Sequence, residues 1–134
     1  MLLWSVRSIG LANFNSAQVK DILDTGTVTP AVNQVECHAF FNQRKLKAFL
    51  DEHNITLVAY SPLGNPRRPW AKPKDPVIVK DRMLRQIGAK FGGKTAAQIA
   101  LKYLVSVAHY SLTWLRILKC ACCMNVADPT KSLN

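Results

Sequence analysis

Acidic residues are scarce in this sequence. Eight Asp and Glu stand against eighteen Lys and Arg, a formal net charge of +10, with a pI near 9.8. Such a balance points to an anionic partner (nucleic acid, an acidic membrane face or a phosphorylated small molecule) or to a solvated, Lys-rich surface. Few aromatics are interleaved with the basic residues, densest from Arg67 to Lys94. No nucleic-acid module shows, and no nucleic-acid partner is expected. Long apolar runs are also lacking. The longest uncharged one, YLVSVAHYSLTWL, is bounded by Lys102 and Arg116 and falls short of the roughly 20 residues a membrane span needs. The opening MLLWSV reaches Arg7 at once, with no basic n-region and no adequate apolar core for a signal peptide.

Cysteine usage excludes more. Of Cys37, Cys120, Cys122 and Cys123, three crowd one tail, which is poor spacing for a disulfide framework. The Cys120–Cys123 cluster lacks a second pair of ligands at zinc spacing, so no metal site is expected. A reduced, cytoplasmic protein is the default. No GxGxxG follows any strand-like run, and FGGKTA lacks the spacing of a phosphate-binding P-loop.

What is present alternates between two periodicities. SVRSIGL, AVNQVE and ITLVAY read as strands. Between them, Val19, Ile22 and Leu23 mark one helix face, capped by Asn15 or Ser16 and ended by Gly26; Leu46, Phe49, Leu50 and His53 mark another, capped by Asn42. In ITLVAY both faces are largely apolar, which suits a parallel strand covered on both sides. A proline-rich loop from Pro62 to Pro76 follows. Then come helical runs through Leu84, Ile87 and Phe91, and through Ala97, Ala100, Leu101 and Leu104, the second capped by Thr95.

Strands alternating with helices predict βαβ crossovers and a parallel α/β sheet. Spacing alone leaves a barrel and a doubly wound sheet both open. Either fold places ligands beyond the C-terminal ends of its strands. Asn13, Gln34 and the pair Tyr60–Ser61 sit at those tips. ITLVAYSPLGNPRRPW thus ends an apolar strand on an aromatic ring and a hydroxyl, then turns into a basic, proline-broken loop.

Four motifs in order, IGLANFN, PAVNQVECH, VAYSPLG and RPWAKP, resemble the aldo-keto reductases, NADP(H)-dependent (β/α)8 TIM barrels that reduce aldehydes and ketones. The resemblance covers about residues 5–103 and leaves 104–134 as a divergent tail. It implies an incomplete barrel of about three parallel strands, corresponding to the fifth to seventh of eight. It also implies nicotinamide contacts at Asn13 and Gln34, with Ala12 in place of the usual serine, and a stacking ring at Tyr60. Ser61, Leu63 and Asn65 would touch the cofactor pyrophosphate, and Trp70 would line the substrate pocket. Arg67 stands where some members carry an acidic residue that latches the loop over the cofactor.

The family's catalytic Asp, Tyr, Lys and His belong to earlier strands, and no residue here matches them. The resemblance therefore implies a C-terminal-half fragment, inactive alone, with weak or lost cofactor binding and with neither the eighth strand nor the Pro-Lys-Ser phosphate anchor. His38 is expected to be structural, bonded to backbone. Leu101, Leu104, Ala108, Ser111, Leu115 and Leu118 step by three and four, extending the last helix with apolar faces all round. That leaves self-association through the tail, or a non-catalytic interaction role using the exposed sheet face and this helix, as the alternative.

Overall fold

The computed structural model describes residues 6–108 and 111–112. The tail cysteines and most of the tail lie outside them. Four strands, β1 (Gly10–Ala12), β2 (Val32–Glu36), β3 (Thr56–Tyr60) and β4 (Ser111–Leu112), form one sheet in the order β1-β2-β3-β4. All pairings are parallel; Gln34 sits opposite both Ala12 and Val58, and Glu36 opposite Tyr60. Helices α1 (Ser16–Thr25), α2 (Arg44–Glu52), α3 (Arg82–Lys90) and α4 (Ala96–Ala108) fill the connections, with a 3-10 turn at Ile78–Lys80.

Strand alternation decides where the core sits. Asn33 and Val35 of β2 and Leu57 and Ala59 of β3 are buried. Val35, Leu57 and Ala59 pack with Val19 of α1, Leu50 of α2 and Leu104 of α4 in one cluster. Each fully buried Leu there contributes roughly 1.5–3 kcal/mol relative to exposure. The alternate residues Val32, Gln34, Glu36, Val58 and Tyr60 are only half-buried, and Thr56 is exposed. The expectation that β3 is covered on both faces is thus corrected: helices cover one face only, and no described element lies over the other. Helices on a single face of a sheet in sequential order are compatible with part of a barrel wall and differ from a doubly wound sheet, which reverses its order and carries helices on both faces. Four strands do not close a barrel.

A second, smaller cluster of Ile78, Leu84, Ala96 and Ala100 joins α3, α4 and the 3-10 turn, with Leu63 and Ala39 packed against it. The long loop rests on this cluster.

Local signals explain most boundaries. Asn15 caps α1 through a reciprocal pair with Gln18, at 2.9 and 3.0 Å. Thr95 and Gln98 repeat the pattern ahead of α4, at 3.2 and 2.9 Å. Asp81 caps α3 by accepting from the Leu84 N–H at 2.8 Å.

Three expectations fail locally. The first strand is shorter than SVRSIGL, beginning only at Gly10. The cap position of α2 falls on Gln43, left-handed at φ 51°, one residue after the expected Asn42, whose Oδ1 still accepts from the Arg44 N–H at 3.4 Å. The Gln43 side chain donates to the Glu36 carbonyl at 3.0 Å, which ties the start of α2 to the end of β2. Phe91 does not join the buried face of α3; it follows the last turn and is 51% exposed.

The continuous helix expected through Leu118 is also interrupted. Helix α4 ends at Ala108, and Ser111–Leu112 pairs with Val58–Ala59. A fourth parallel strand therefore follows α4, where the sequence reading placed no strand. Nonlocal pairing with β3 selects it; local periodicity does not. Among the described residues no helix is long and apolar enough to cross a membrane.

Candidate functional site at the strand tips

The C-terminal ends of β1, β2 and β3 converge. The Asn13 N–H donates to the Gln34 carbonyl at 2.8 Å, extending the β1–β2 ladder one residue past β1. Asn13 then turns at φ 61°, and Ser61, just past β3, turns at φ 49°. Left-handed backbone is uncommon outside glycine, and such positions cluster at ligand clamps. The Tyr60 hydroxyl donates to Asn13 Oδ1 at 3.0 Å. Asn13, Gln34 and Tyr60 therefore meet at one place on the open face of the sheet.

Asn33, which the sequence reading passed over, supports this arrangement from behind. It is fully buried on the helix side, and both its amide groups bond the backbone of Phe14, the residue after Asn13. The signal was available: in an alternating strand, Asn33 and Gln34 must face opposite ways, so one of two adjacent amides had to be buried and partnered.

Beyond Tyr60 the chain makes a tight turn, the Gly64 N–H donating to the Ser61 carbonyl at 2.7 Å. Leu63 and Asn65 then line a cleft of about 270 Å³ together with Glu36, His38, Phe41 and Arg68. This cleft excludes Asn13, Gln34, Tyr60, Ser61 and Trp70. Trp70 is 71% exposed. The seven expected site residues thus divide into a strand-tip group, a loop group and one outlying ring.

The loop is held by its own residues. Arg68 forms an ion pair with Asp75, and its Nη1 donates to the Asn65 carbonyl at 3.2 Å. Asp75 also accepts from the Lys72 N–H at 3.0 Å. Arg67 is exposed, so the loop's ionic closure falls one residue later than the position where the resemblance places a latch.

His38 lies at the cleft wall. Its Nδ1 accepts from the Phe40 N–H at 3.3 Å, in line with the expected backbone bond. Its Nε2 stands 3.7 Å from Glu36 Oε1. Burial pushes the imidazole below its usual pKa; Glu36 opposes this and Arg68 adds to it. Glu36 and His38 sit two residues apart in PAVNQVECH, whereas Arg68 comes from the distant loop, and no short motif joins it to them. No group of three or more His, Cys, Asp or Glu side chains placed to hold a metal occurs among the described residues.

A sequential parallel α/β sheet with helices on one face, and with amides and an aromatic ring gathered at its strand tips, is compatible with part of a (β/α)8 barrel. The comparisons narrow the class. The family model described as the Aldo/keto reductase family matches residues 5–116, and the chain belongs to that family. It is 44% identical over 99 residues to "Aldo-keto reductase family 1 member A1" of Xenopus tropicalis, covering 74% of this chain and 30% of that relative. To the Bos taurus protein of the same name it is 42% identical over 118 residues, covering 85% of this chain and 36% of the relative. "Aldo-keto reductase family 1 member D1" of Oryctolagus cuniculus is 45% identical over 103 residues, 75% of this chain and 31% of its own length. The chain thus spans about a third of the length of these relatives.

Proposed function

We propose that this chain carries the nicotinamide end of an NADP(H) site belonging to a carbonyl reductase. The supporting observation is the meeting of Asn13, Gln34 and Tyr60 at the strand tips. The residues present suit the group. A primary carboxamide has one acceptor and two donors, and Asn13 and Gln34 supply matching amides. Tyr60 supplies a flat apolar face against which a heteroaromatic ring can pack. When bound, the cofactor supplies a hydride for an aldehyde or ketone carbonyl.

Ser61, Leu63 and Asn65 would follow the pyrophosphate, and Trp70 would reach substrate from the exposed loop. Reduction also needs an acid to protonate the developing alkoxide. The family's Asp, Tyr, Lys and His set has no counterpart among the described residues, and the Tyr60 hydroxyl is engaged with Asn13. In this reading the chain alone holds cofactor weakly and does not turn over, and the protein works in the cytoplasm. The boundary expected after residue 103 moves outward, since Leu104 is buried in the core, α4 runs to Ala108 and Ser111–Leu112 joins the sheet; residues 5–112 form the barrel part and the remainder a tail.

NADPH fluorescence titration tests the reading. Saturable binding that disappears in Tyr60→Ala supports it; no binding up to millimolar cofactor removes it.

The half-exposed inner face of β2 and β3 favours one other reading, a non-catalytic interaction protein. Size-exclusion chromatography with light scattering, with and without residues 113–134, which leaves α4 and β4 intact, distinguishes the two. A monomer in both forms counts against the interaction role, including self-association through the tail.

A further inference from the structure

We infer that the Tyr60–Asn13 hydrogen bond is a brace that sets the orientation of the Asn13 carboxamide, so that Asn13 presents N–H donors to whatever ligand occupies the strand tips. The two residues are not neighbours. Tyr60 ends β3 and Asn13 follows β1, with β2 between them. Adjacent strands lie about 4.8 Å apart, so the contact bridges roughly 10 Å of sheet. Gln34, Glu36 and Tyr60 share the inner face by strand alternation, and Glu36 is the register partner of Tyr60. The phenol ring therefore lies across the tip of β2, tethered at its backbone on β3 and at its hydroxyl on Asn13.

A primary amide is chemically two-sided: flipping it exchanges an acceptor for donors. The backbone of Asn13 is fixed by the bond to the Gln34 carbonyl and by the left-handed turn. Its amide has one recorded side-chain partner, the Tyr60 hydroxyl, on Oδ1. That contact turns Oδ1 toward Tyr60, so Nδ2, on the other side of the amide carbon, is directed away from the hydroxyl. The Gln34 side chain has no recorded hydrogen bond among the described residues and remains free to adapt. The pair therefore reads a ligand asymmetrically: Asn13 donates to a carbonyl oxygen, and Gln34 satisfies the group beside it. Tyr60 thus acts twice, as an apolar face and as a positioning residue acting through Asn13. The choice of carboxamide as ligand rests on the nicotinamide reading above; the brace itself rests only on geometry.

The test uses the full chain, uniformly labelled with nitrogen-15. The Asn13 side-chain amide signal is assigned by its loss in Asn13→Asp and followed in Tyr60→Phe without ligand. Phe keeps the ring current and removes only the hydroxyl, so a shifted Asn13 signal reports the lost hydrogen bond and not a lost ring. NADPH is then titrated into all three proteins. The expected result is a displaced Asn13 signal in Tyr60→Phe, with NADPH binding weakened about threefold to tenfold, the worth of one net hydrogen bond. In Asn13→Asp, which keeps the acceptor and loses the donors, binding should fall by more than that.

An Asn13 signal identical in wild type and Tyr60→Phe overturns the brace whether or not cofactor binds. Equal NADPH affinity in those two proteins overturns the orienting role. A displaced signal in Tyr60→Phe, together with a wild type that binds no NADPH at millimolar concentration, overturns the nicotinamide reading and the orienting role with it, leaving the hydrogen bond as a packing contact.

Discussion

The buried Asn33 side chain grips both backbone groups of Phe14, donating to its carbonyl at 2.8 Å and accepting from its N–H at 3.4 Å. A side chain of β2 thereby fixes the loop that leaves β1, one residue after the left-handed turn at Asn13. Asn33→Leu keeps the volume and removes both bonds. It leaves two backbone groups without partners against a fully buried side chain, at a cost of roughly 2–4 kcal/mol. The urea midpoint should fall accordingly. The Asn13 amide signal should also broaden or move, because the turn that aims it is no longer held. An unchanged midpoint would show that Phe14 finds other partners.

Much of this arrangement was legible before any coordinates. AVNQVE and ITLVAY announce their strands as short β-branched runs between helical periods, and Asn15 or Ser16 announces the start of α1; the partnership of Asn15 with Gln18 emerges only in the structure. The site residues Asn13, Gln34 and Tyr60 were readable because each lies in a short motif at a strand end. What escaped depends on pairing between distant segments. Ser111–Leu112 sits in a run that is apolar on every face, where a helical period and a strand are indistinguishable; only its pairing with Val58–Ala59 marks it as a strand. The approach of Arg68 to Glu36 and His38 escaped for the same reason. So did the open inner face of β3, since an apolar residue bound for a barrel interior reads like one already covered.

Gly88 marks the closest approach between α3 and the segment leading into α4. A Cβ placed there would stand 1.9 Å from the Lys94 carbonyl oxygen, and the Lys94 N–H already bonds the Gly88 carbonyl at 2.9 Å. Gly88→Ala should therefore destabilise by about 1–3 kcal/mol, although Ala is the better helix former. Gly93 is the control. Its φ of 73° tolerates Asn, and nothing lies within 4 Å of its Cβ position, so Gly93→Asn should change stability by less than about 0.5 kcal/mol. Thermal unfolding of the two variants side by side decides the matter; equal losses would refute the close approach.

The Arg68–Asp75 pair closes the loop that carries Asn65, and both side chains are largely shielded, at 27% exposure each. Asp75→Asn removes the charge and weakens the acceptor for the Lys72 N–H. Global stability should drop by only about 1 kcal/mol, as for other partly exposed ion pairs. Local opening should increase more visibly. Limited trypsin digestion should cut faster at Arg67–Arg68 and Lys74–Asp75, the basic sites in this loop not followed by proline. Cleavage at the wild-type rate would mean that the prolines, and not the ion pair, hold the loop.

His38 gives the fold a pH dependence whose sign follows from its surroundings. Burial lowers its pKa, Arg68 lowers it further, and Glu36 at 3.7 Å only partly offsets both. The unfolded chain, with its imidazole near the ordinary value of about 6.5, therefore binds a proton more readily than the folded one. Stability from this residue is complete above about pH 6.5 and is lost as pH falls from there through the depressed folded value. His38→Asn retains an acceptor for the Phe40 N–H and cannot titrate. Urea midpoints measured from pH 8 to pH 5 should fall more steeply for wild type than for the variant, the curves separating below about pH 6.5. A wild-type curve parallel to the variant's would show that protonated His38 pairs with Glu36 strongly enough to cancel the cost of its burial.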